Sequence, residues 1–200
     1  MARDNSTLTN KTQLRRSLLA EIDDPVILEP YGGKGIIWWH CYQDVMQGTV
    51  IEKQEDKADV LARQRPTWAV FCGDALAVLQ SGVCRRLTYN YVDIDPYGEP
   101  WATIDLVLGG AVPLARRVGV VVHDGLRSNL RMNTAWKVAA MQWAVQQWGN
   151  ERVHDNYIAI CQQMLEKKAE QAGYRLLRWA GYYCGSNNTM THYAAVLEAA

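Results

Sequence analysis

Four carboxylates, Glu29, Glu52, Asp74 and Asp95, each close a short apolar run, and they follow one another at intervals of about twenty residues, roughly one strand-plus-helix unit. The runs are Val26-Ile-Leu-Glu29, Val50-Ile-Glu52, Ala69-Val-Phe-Cys-Gly-Asp74 and Tyr91-Val-Asp-Ile-Asp95. Set side by side in a parallel sheet, such strands put the four acids along one edge, where a ligand rich in hydroxyl or amine donors can be held. The first acid continues into Pro30-Tyr-Gly-Gly-Lys-Gly35. Glycines at 32, 33 and 35 let the backbone turn sharply and approach a ligand where a Cβ would collide. The Ile36-Ile37-Trp38-Trp39 that follows suits a helix packed on a sheet. This reads as a buried strand entering a nucleotide-cofactor loop.

Such an edge needs strands and helices in alternation. Residues 1 to 10 read as a frayed polar terminus, and Leu14, Leu18 and Ile22 recur at helical spacing over Lys11 to Ile22, an amphipathic helix placed to cover the sheet edge or the cofactor mouth. Beyond the glycine loop the pattern predicts a helix to about Gln47, a strand near 49 to 53 and a helix from about 55 to 65 stopped by Pro66. A strand near 68 to 72, a short helix over Ala75 to Gln80 and a strand near 87 to 94 follow. Next come a helix from Pro100 to Gly109, a fifth strand over Val118 to His123, and helices over Thr134 to Trp148 and Asp155 to Ala172. Tyr174 to Tyr183 and His192 to Glu198 flank the turn-forming Gly185-Ser-Asn-Asn188 and read as an antiparallel hairpin. The expected fold class is α/β: a Rossmann-like doubly wound sheet, mostly parallel, with a C-terminal antiparallel hairpin. Residues 1–24 are read as an N-terminal tail and helix, and 25–200 as a single domain.

Composition narrows the class further. Two hundred residues suffice for one sheet covered on both faces, and 21 basic against 21 acidic side chains leave no global field to draw the protein onto nucleic acid. Any nucleic-acid surface must be a local patch. The five cysteines, at 41, 72, 84, 161 and 184, include no Cys-x-x-Cys pair, and three lie in apolar segments, the pattern of reduced core thiols in a cytoplasmic protein. No segment has the apolar length of a membrane span, the opening residues lack a signal-peptide core, and no metal site is expected.

The ordered set of four strand ends resembles the class I S-adenosylmethionine-dependent methyltransferases. Their first motif often reads Leu-Asp-Leu-Phe-Ala-Gly-Thr-Gly, which Leu28-Glu-Pro-Tyr-Gly-Gly-Lys-Gly35 matches position for position, with Glu29 for the usual Asp. The resemblance covers most of residues 26 to 125 and implies S-adenosylmethionine as cofactor. It assigns Glu29, Tyr31, Gly32, Gly33 and Gly35 to the cofactor loop, Glu52 with Lys53 to the ribose end, and Asp74 with Ala75 to the adenine edge. Asp95-Pro96-Tyr97-Gly98 falls beside the transferred methyl group, with Asp95 touching both cofactor and acceptor.

Each assignment has a structural alternative. Glu29 could satisfy amides of the glycine turn, Glu52 could pair with Lys53 or Lys57, and Asp74 could cap the helix that Ala75 begins. Asp93, alternating with Asp95 on one strand, ranks below it because only Asp95 leads into the Pro-Tyr-Gly turn. A nicotinamide loop would want a third glycine where Trp38 stands, and a phosphate loop would want a spacing and a hydroxyl that Gly32-Gly-Lys-Gly35 lacks.

For the acceptor, Asp95-Pro96-Tyr97-Gly98 is similar to the Asp/Asn-Pro-Pro-Tyr motif of enzymes that methylate exocyclic amines, and closer to the Asp-Pro-Phe-Gly version of tRNA guanine-N2 methyltransferases. A carboxylate and a backbone carbonyl accepting both N–H bonds of a ring-conjugated amine would aim its lone pair at the methyl, and Tyr97 could stack on a flipped base of RNA or DNA. The chain departs from that pattern in having one proline, and the 25 residues before the first strand leave no room for large RNA-binding extensions, so bulk tRNA recognition is not expected. A small-molecule or protein acceptor, or a non-catalytic cofactor-binding scaffold, are the alternatives. Near the same edge His123 could take a proton after transfer, and Arg127 and Arg131 could contact phosphate; the plainer reading is a polar loop with solvated arginines. His192 is expected to pack in the hairpin, and Trp136, Trp143 and Trp148 in the core.

Overall fold

The computed structural model describes residues 8–131, 139–185 and 188–200. Helix α1 (Leu8–Leu19) precedes the alternation β1 (Val26–Glu29), α2 (Ile36–Cys41), β2 (Gln47–Glu52), α3 (Glu55–Gln64), β3 (Ala69–Cys72), α4 (Ala75–Gln80), β4 (Tyr89–Ile94), α5 (Trp101–Leu106), β5 (Leu114–Asp124). Helices α6 (Arg127–Arg131), α7 (Ala139–Asp155) and α8 (Tyr157–Gln171) lead to the hairpin of β6 (Tyr174–Cys184) and β7 (Met190–Ala199). The seven strands lie in the order β3-β2-β1-β4-β5-β7-β6. The first five are parallel, and β7 runs antiparallel to both β5 and β6.

Both faces of the sheet are covered, which is why its central strands are apolar on both sides rather than alternating. On one face Leu18 of α1, Ile22, Trp38 of α2, Tyr42 and Leu61 of α3 pack on Ile27, Val50, Tyr91 and Val121. On the other, Leu79 of α4, Trp101 and Ile104 of α5, Leu130 of α6, and Tyr157, Ile160 and Leu165 of α8 pack on Leu28, Ile51, Val92 and Val122. Because β1 sits between β2 and β4, the carboxyl ends of β1, β2, β3 and β4 open onto one edge, where doubly wound sheets place their ligands.

Several boundaries differ from the sequence expectation for visible reasons. Helix α1 begins at Leu8, inside the segment expected to fray. Helix α2 stops at Cys41 rather than near Gln47, because Tyr42 leaves the helical region (φ −125°) to bury its ring against Tyr91, 5.6 Å between centroids. Strand β5 starts at Leu114, not Val118, and pairs Leu114 with Tyr89 across an irregularity in β4. Helix α7 continues past Trp148, and its break is at Gly149 (φ 75°). Thr134 and Trp136 lie outside the described residues. Trp143 is exposed, correcting the core expectation, while Trp148 packs against the core.

Candidate active site

Two adjoining cavities occupy the carboxyl edge. A cleft of about 620 Å³ is lined by Tyr31, Gly33, Glu52, Lys53, Asp74, Ala75, Asp95, Pro96 and Tyr97, together with Gln54, Lys57 and Glu99. The second, about 530 Å³, is lined by Lys11, Glu29, Gly32, Lys34, Ile36, Ile37 and Asp93, and shares Tyr31, Gly33, Lys57, Asp95 and Tyr97 with the first. Asp95 and Tyr97 therefore stand where the two meet.

The glycine turn is built for close approach. The Gly32 amide donates to the Ile51 carbonyl at 2.9 Å, pinning the loop to β2, and a Cβ on Gly32 would come within 2.4 Å of Val50 and 2.6 Å of Leu61. Gly33 takes φ +55°, a conformation that L side chains adopt only with strain, and its amide is turned onto Glu52. Gly35 starts α2 and lines neither cavity; beside it, Trp38 fills the place a third glycine would take in a nicotinamide loop.

Glu52 is the best-prepared ligand group of the cleft. Its Oε2 accepts from the Gly33 amide and its Oε1 from the Gln54 amide, both at 2.8 Å, so each oxygen is oriented and keeps a further lone pair. Two free lone pairs on one fixed carboxylate suit a pair of neighbouring hydroxyls. The alternative ion pair of Glu52 with Lys53 does not form, since Lys53 Nζ lies 3.7 Å from Asp74 instead. Asp74 caps α4, with Oδ1 accepting from the Leu76 and Ala77 amides, and it also lines the cleft, so capping leaves it within reach of a ligand. Tyr31 shares a hydrogen bond of 2.6 Å with Thr103, and Glu99 caps α5 through the Trp101 amide at 2.8 Å.

Glu29 is placed differently from the expectation. Its carboxylate is buried in an ion pair with Arg65, whose guanidinium lies between the Trp38 and Trp68 rings at 5.2 and 5.0 Å. Burial pushes the Glu29 carboxyl up to about 7 against the lowering effect of Arg65. It lines the second cavity and is a support of the loop rather than a wall of the cleft.

Asp93 and Asp95 are both gripped by α1. Arg15 makes a bidentate pair with Asp93, Nε to Oδ2 and Nη2 to Oδ1, each 2.7 Å, and Nη2 reaches Asp95 Oδ2 at 3.1 Å. The Tyr42 hydroxyl donates to Asp93 at 2.8 Å. Lys11 Nζ bonds both Asp95 oxygens, at 3.1 and 2.9 Å. Burial alone would raise the Asp95 carboxyl, but Arg15, His123 and Lys11 together outweigh it and hold the group well below the usual carboxylate range. Asp95 thus stays ionised and acts as a hydrogen-bond acceptor, too weakly basic to hold a proton near neutrality.

His123 lies at this edge as expected, beside Asp95 at the end of β5, but it is covered and not open to a ligand. It is 6% exposed, lines neither cavity, and stacks edge-on with His192 at 4.2 Å. Burial pulls its imidazole down to about 4, a poor proton acceptor. His192 packs in the hairpin as expected, its Nδ1 3.0 Å from the Tyr182 hydroxyl. Arg127 is no phosphate contact either: it is buried, donates to the His154 and Asn188 carbonyls, and covers the Tyr183 ring at 3.9 Å. The side chain of Arg131 lies outside the described residues.

No protein-family model and no curated protein matches the sequence. Among solved structures, Trm1 from Pyrococcus horikoshii in complex with S-adenosyl-L-methionine superposes with a TM-score of 0.68 at 13% identity, over 100% of this chain and 56% of that one. TYW2 from M. jannaschii in complex with AdoMet gives 0.63 at 12% identity, over 100% and 79%. The plantazolicin methyltransferase BamL, in complex with a triazolic desmethylPZN analog and SAH, gives 0.56 at 12%, over 97% and 85%. The fold is that of Rossmann-like methyltransferases. This chain spans little more than half the length of the Trm1 chain.

Sequence reasoning missed Lys11, Arg15 and Glu99, and named Lys57 only as a possible ion-pair partner of Glu52. Glu99 had a local signal, an acid just before the Pro100-Trp101 helix start. Lys11 and Arg15 share a face of α1 one turn apart, but nothing local names partners 78 to 84 residues away.

Proposed function

We propose that the protein transfers the methyl group of S-adenosylmethionine to an exocyclic amine of a nucleic-acid base. The observation that carries this reading is the position of Asp95 and Tyr97 at the junction of a cofactor-sized cleft and a second cavity. The cleft chemistry fits the cofactor: Glu52 offers one lone pair per oxygen for the ribose hydroxyls, and Asp74 and Ala75 line the same cleft. The bound cofactor supplies an electrophilic methyl on a sulfonium.

The chain's own residues do the rest. Asp95 accepts an N–H of the amine, and so turns the nitrogen lone pair toward the cleft. With the donor bound, Asp95 would so hold the nitrogen in line with the methyl, whose transfer would leave the bonding pair on sulfur, and water entering the open cavity would take the proton shed by the methylated nitrogen. Tyr97 is fully exposed at the mouth, as a stacking platform for a base. Of the charges lining the second cavity, Glu29, Asp93, Asp95 and Lys11 are mutually neutralised or paired with Arg15 and Arg65. Lys34 and Lys57 have no ion-pair partner among the described residues and are left for phosphate.

Calorimetry with S-adenosylhomocysteine should show binding by the wild type, weakened at least about tenfold by Glu52→Ala, the scale of losing charge-assisted hydrogen bonds. Labelled donor incubated with total RNA, DNA and small metabolites should label nucleic acid, and Asp95→Ala should lower turnover about a hundredfold or more while changing cofactor affinity less than about threefold. No cofactor binding by the wild type ends the methyltransferase reading. Labelling confined to metabolites ends the nucleic-acid part.

A further inference from the structure

Asp95 is not free to receive an amine with both its oxygens. A carboxylate has about four lone-pair sites. Among the described residues, Oδ2 accepts from Lys11 and Arg15, and Oδ1 accepts from Lys11, which leaves one site, on Oδ1. Lys11 in turn has three N–H bonds, and Asp95 engages at most two of them. Its side chain is 17% exposed and lines the second cavity, not the cofactor cleft. One acceptor and one donor, held together by their own ion pair, therefore face the acceptor side.

We propose that Lys11 and Asp95 form a reading pair for the acceptor. Asp95 Oδ1 takes an N–H of the amine that is methylated, and Lys11 donates to a hydrogen-bond-accepting atom beside that amine. The acceptor is then an amine carried on a nitrogen heterocycle, with a ring nitrogen next to it, as on adenine, cytosine and guanine. An isolated alkyl amine or hydroxyl has no such neighbour. Discrimination comes from the donor that an acceptor without the ring nitrogen leaves unpaired, an effect larger than the loss of one contact. This inference rests on the methyltransferase reading of the same site, and it makes α1 a wall of the acceptor cavity, with Lys11 a specificity-determining residue.

The test uses the whole chain, labelled S-adenosylmethionine, and single-stranded RNA and DNA oligonucleotides. The methylated base is identified by mass spectrometry, and its deaza analogue, with carbon in place of the adjacent ring nitrogen, is compared with it. For the wild type the deaza base should lower kcat/KM about tenfold or more, and Lys11→Met should lower kcat/KM on the natural base by a similar factor. Lys11→Met should then treat natural and deaza bases alike within about twofold, because the donor that told them apart is gone. Lys11→Arg should keep the discrimination. S-adenosylhomocysteine affinity of Lys11→Met should stay within about threefold of wild type, and the variant should stay cooperatively folded at the assay temperature despite the lost ion pair to Asp95, which separates reading from folding. Equal deaza losses in wild type and Lys11→Met, or loss of S-adenosylhomocysteine binding in Lys11→Met, overturns the role of Lys11 and leaves the cofactor reading standing. No transfer to any oligonucleotide by a wild type that binds S-adenosylhomocysteine overturns the base-amine acceptor and this inference with it.

Discussion

Replacing Arg15 with leucine tests whether α1 is fastened to the sheet edge by a buried charge or only by its apolar face. Arg15 and Asp93 are each 1% exposed, and Arg15 supplies both of the ionic contacts to Asp93 at 2.7 Å. In Arg15→Leu, Asp93 keeps, among the described residues, only the Tyr42 hydroxyl at 2.8 Å and becomes an uncompensated charge in the core. Breaking a buried pair on one side costs about 3–5 kcal/mol, well above the roughly 0.2–1 kcal/mol of an exposed pair. In a domain of this size each kcal/mol lowers Tm by about 2–4 °C, so a fall of roughly 6–20 °C is expected by calorimetry, with a matching shift of the urea midpoint. The double variant Arg15→Leu/Asp93→Asn removes the stranded charge while leaving a carbonyl for Tyr42, and should recover at least about half of the loss. A single variant less than about 1 kcal/mol below wild type, or a double variant as unstable as the sum of the singles, refutes this account.

Other expectations follow from the same structure. Asp124 is fully buried and accepts from the Leu126 amide at 2.8 Å and the Tyr157 hydroxyl at 2.9 Å, yet burial pushes its carboxyl up to about 7. An unfolded aspartate titrates near about 4, so the folded state holds the extra proton between about pH 4 and 7 and this contribution to stability is lost as pH rises through that window. Asp124→Asn should therefore gain on the wild type as pH goes from about 4.5 to about 8, and a Tm difference that is constant with pH sinks the assignment. Gly32→Ala should cost about 1–3 kcal/mol by overpacking against Val50 and Leu61, whereas Gly33→Ala, which meets nothing within 4 Å, should cost about 1–2 kcal/mol through its positive φ alone. The two are told apart by the paired substitution Val50→Ala/Leu61→Ala, which removes both atoms that the Gly32 Cβ meets and should relieve the first and not the second.

The four apolar runs ending in acids, the glycine turn and the helical stretches between them were legible in the chain, because strand and helix periodicity are properties of neighbouring residues. From them followed the parallel sheet, the hairpin and the common edge that holds Glu52, Asp74 and Asp95. What neighbours could not say is which charge meets which. Glu29 reads in sequence as a cofactor ligand, and only the packing of α3 against the glycine loop turns it onto Arg65, 36 residues on. His123 reads as a proton acceptor open at the edge, and only the antiparallel register of β5 with β7 sets it against His192 and buries it there. Lys11 and Arg15 lie in a stretch that the sequence shows only as an amphipathic helix. They become part of the candidate site because α1 packs across the sheet with Leu18 and Ile22 inward, which swings their cations over the end of β4. An ion pair depends on where two distant backbones are brought together, and strand order and helix placement, not local pattern, decide that.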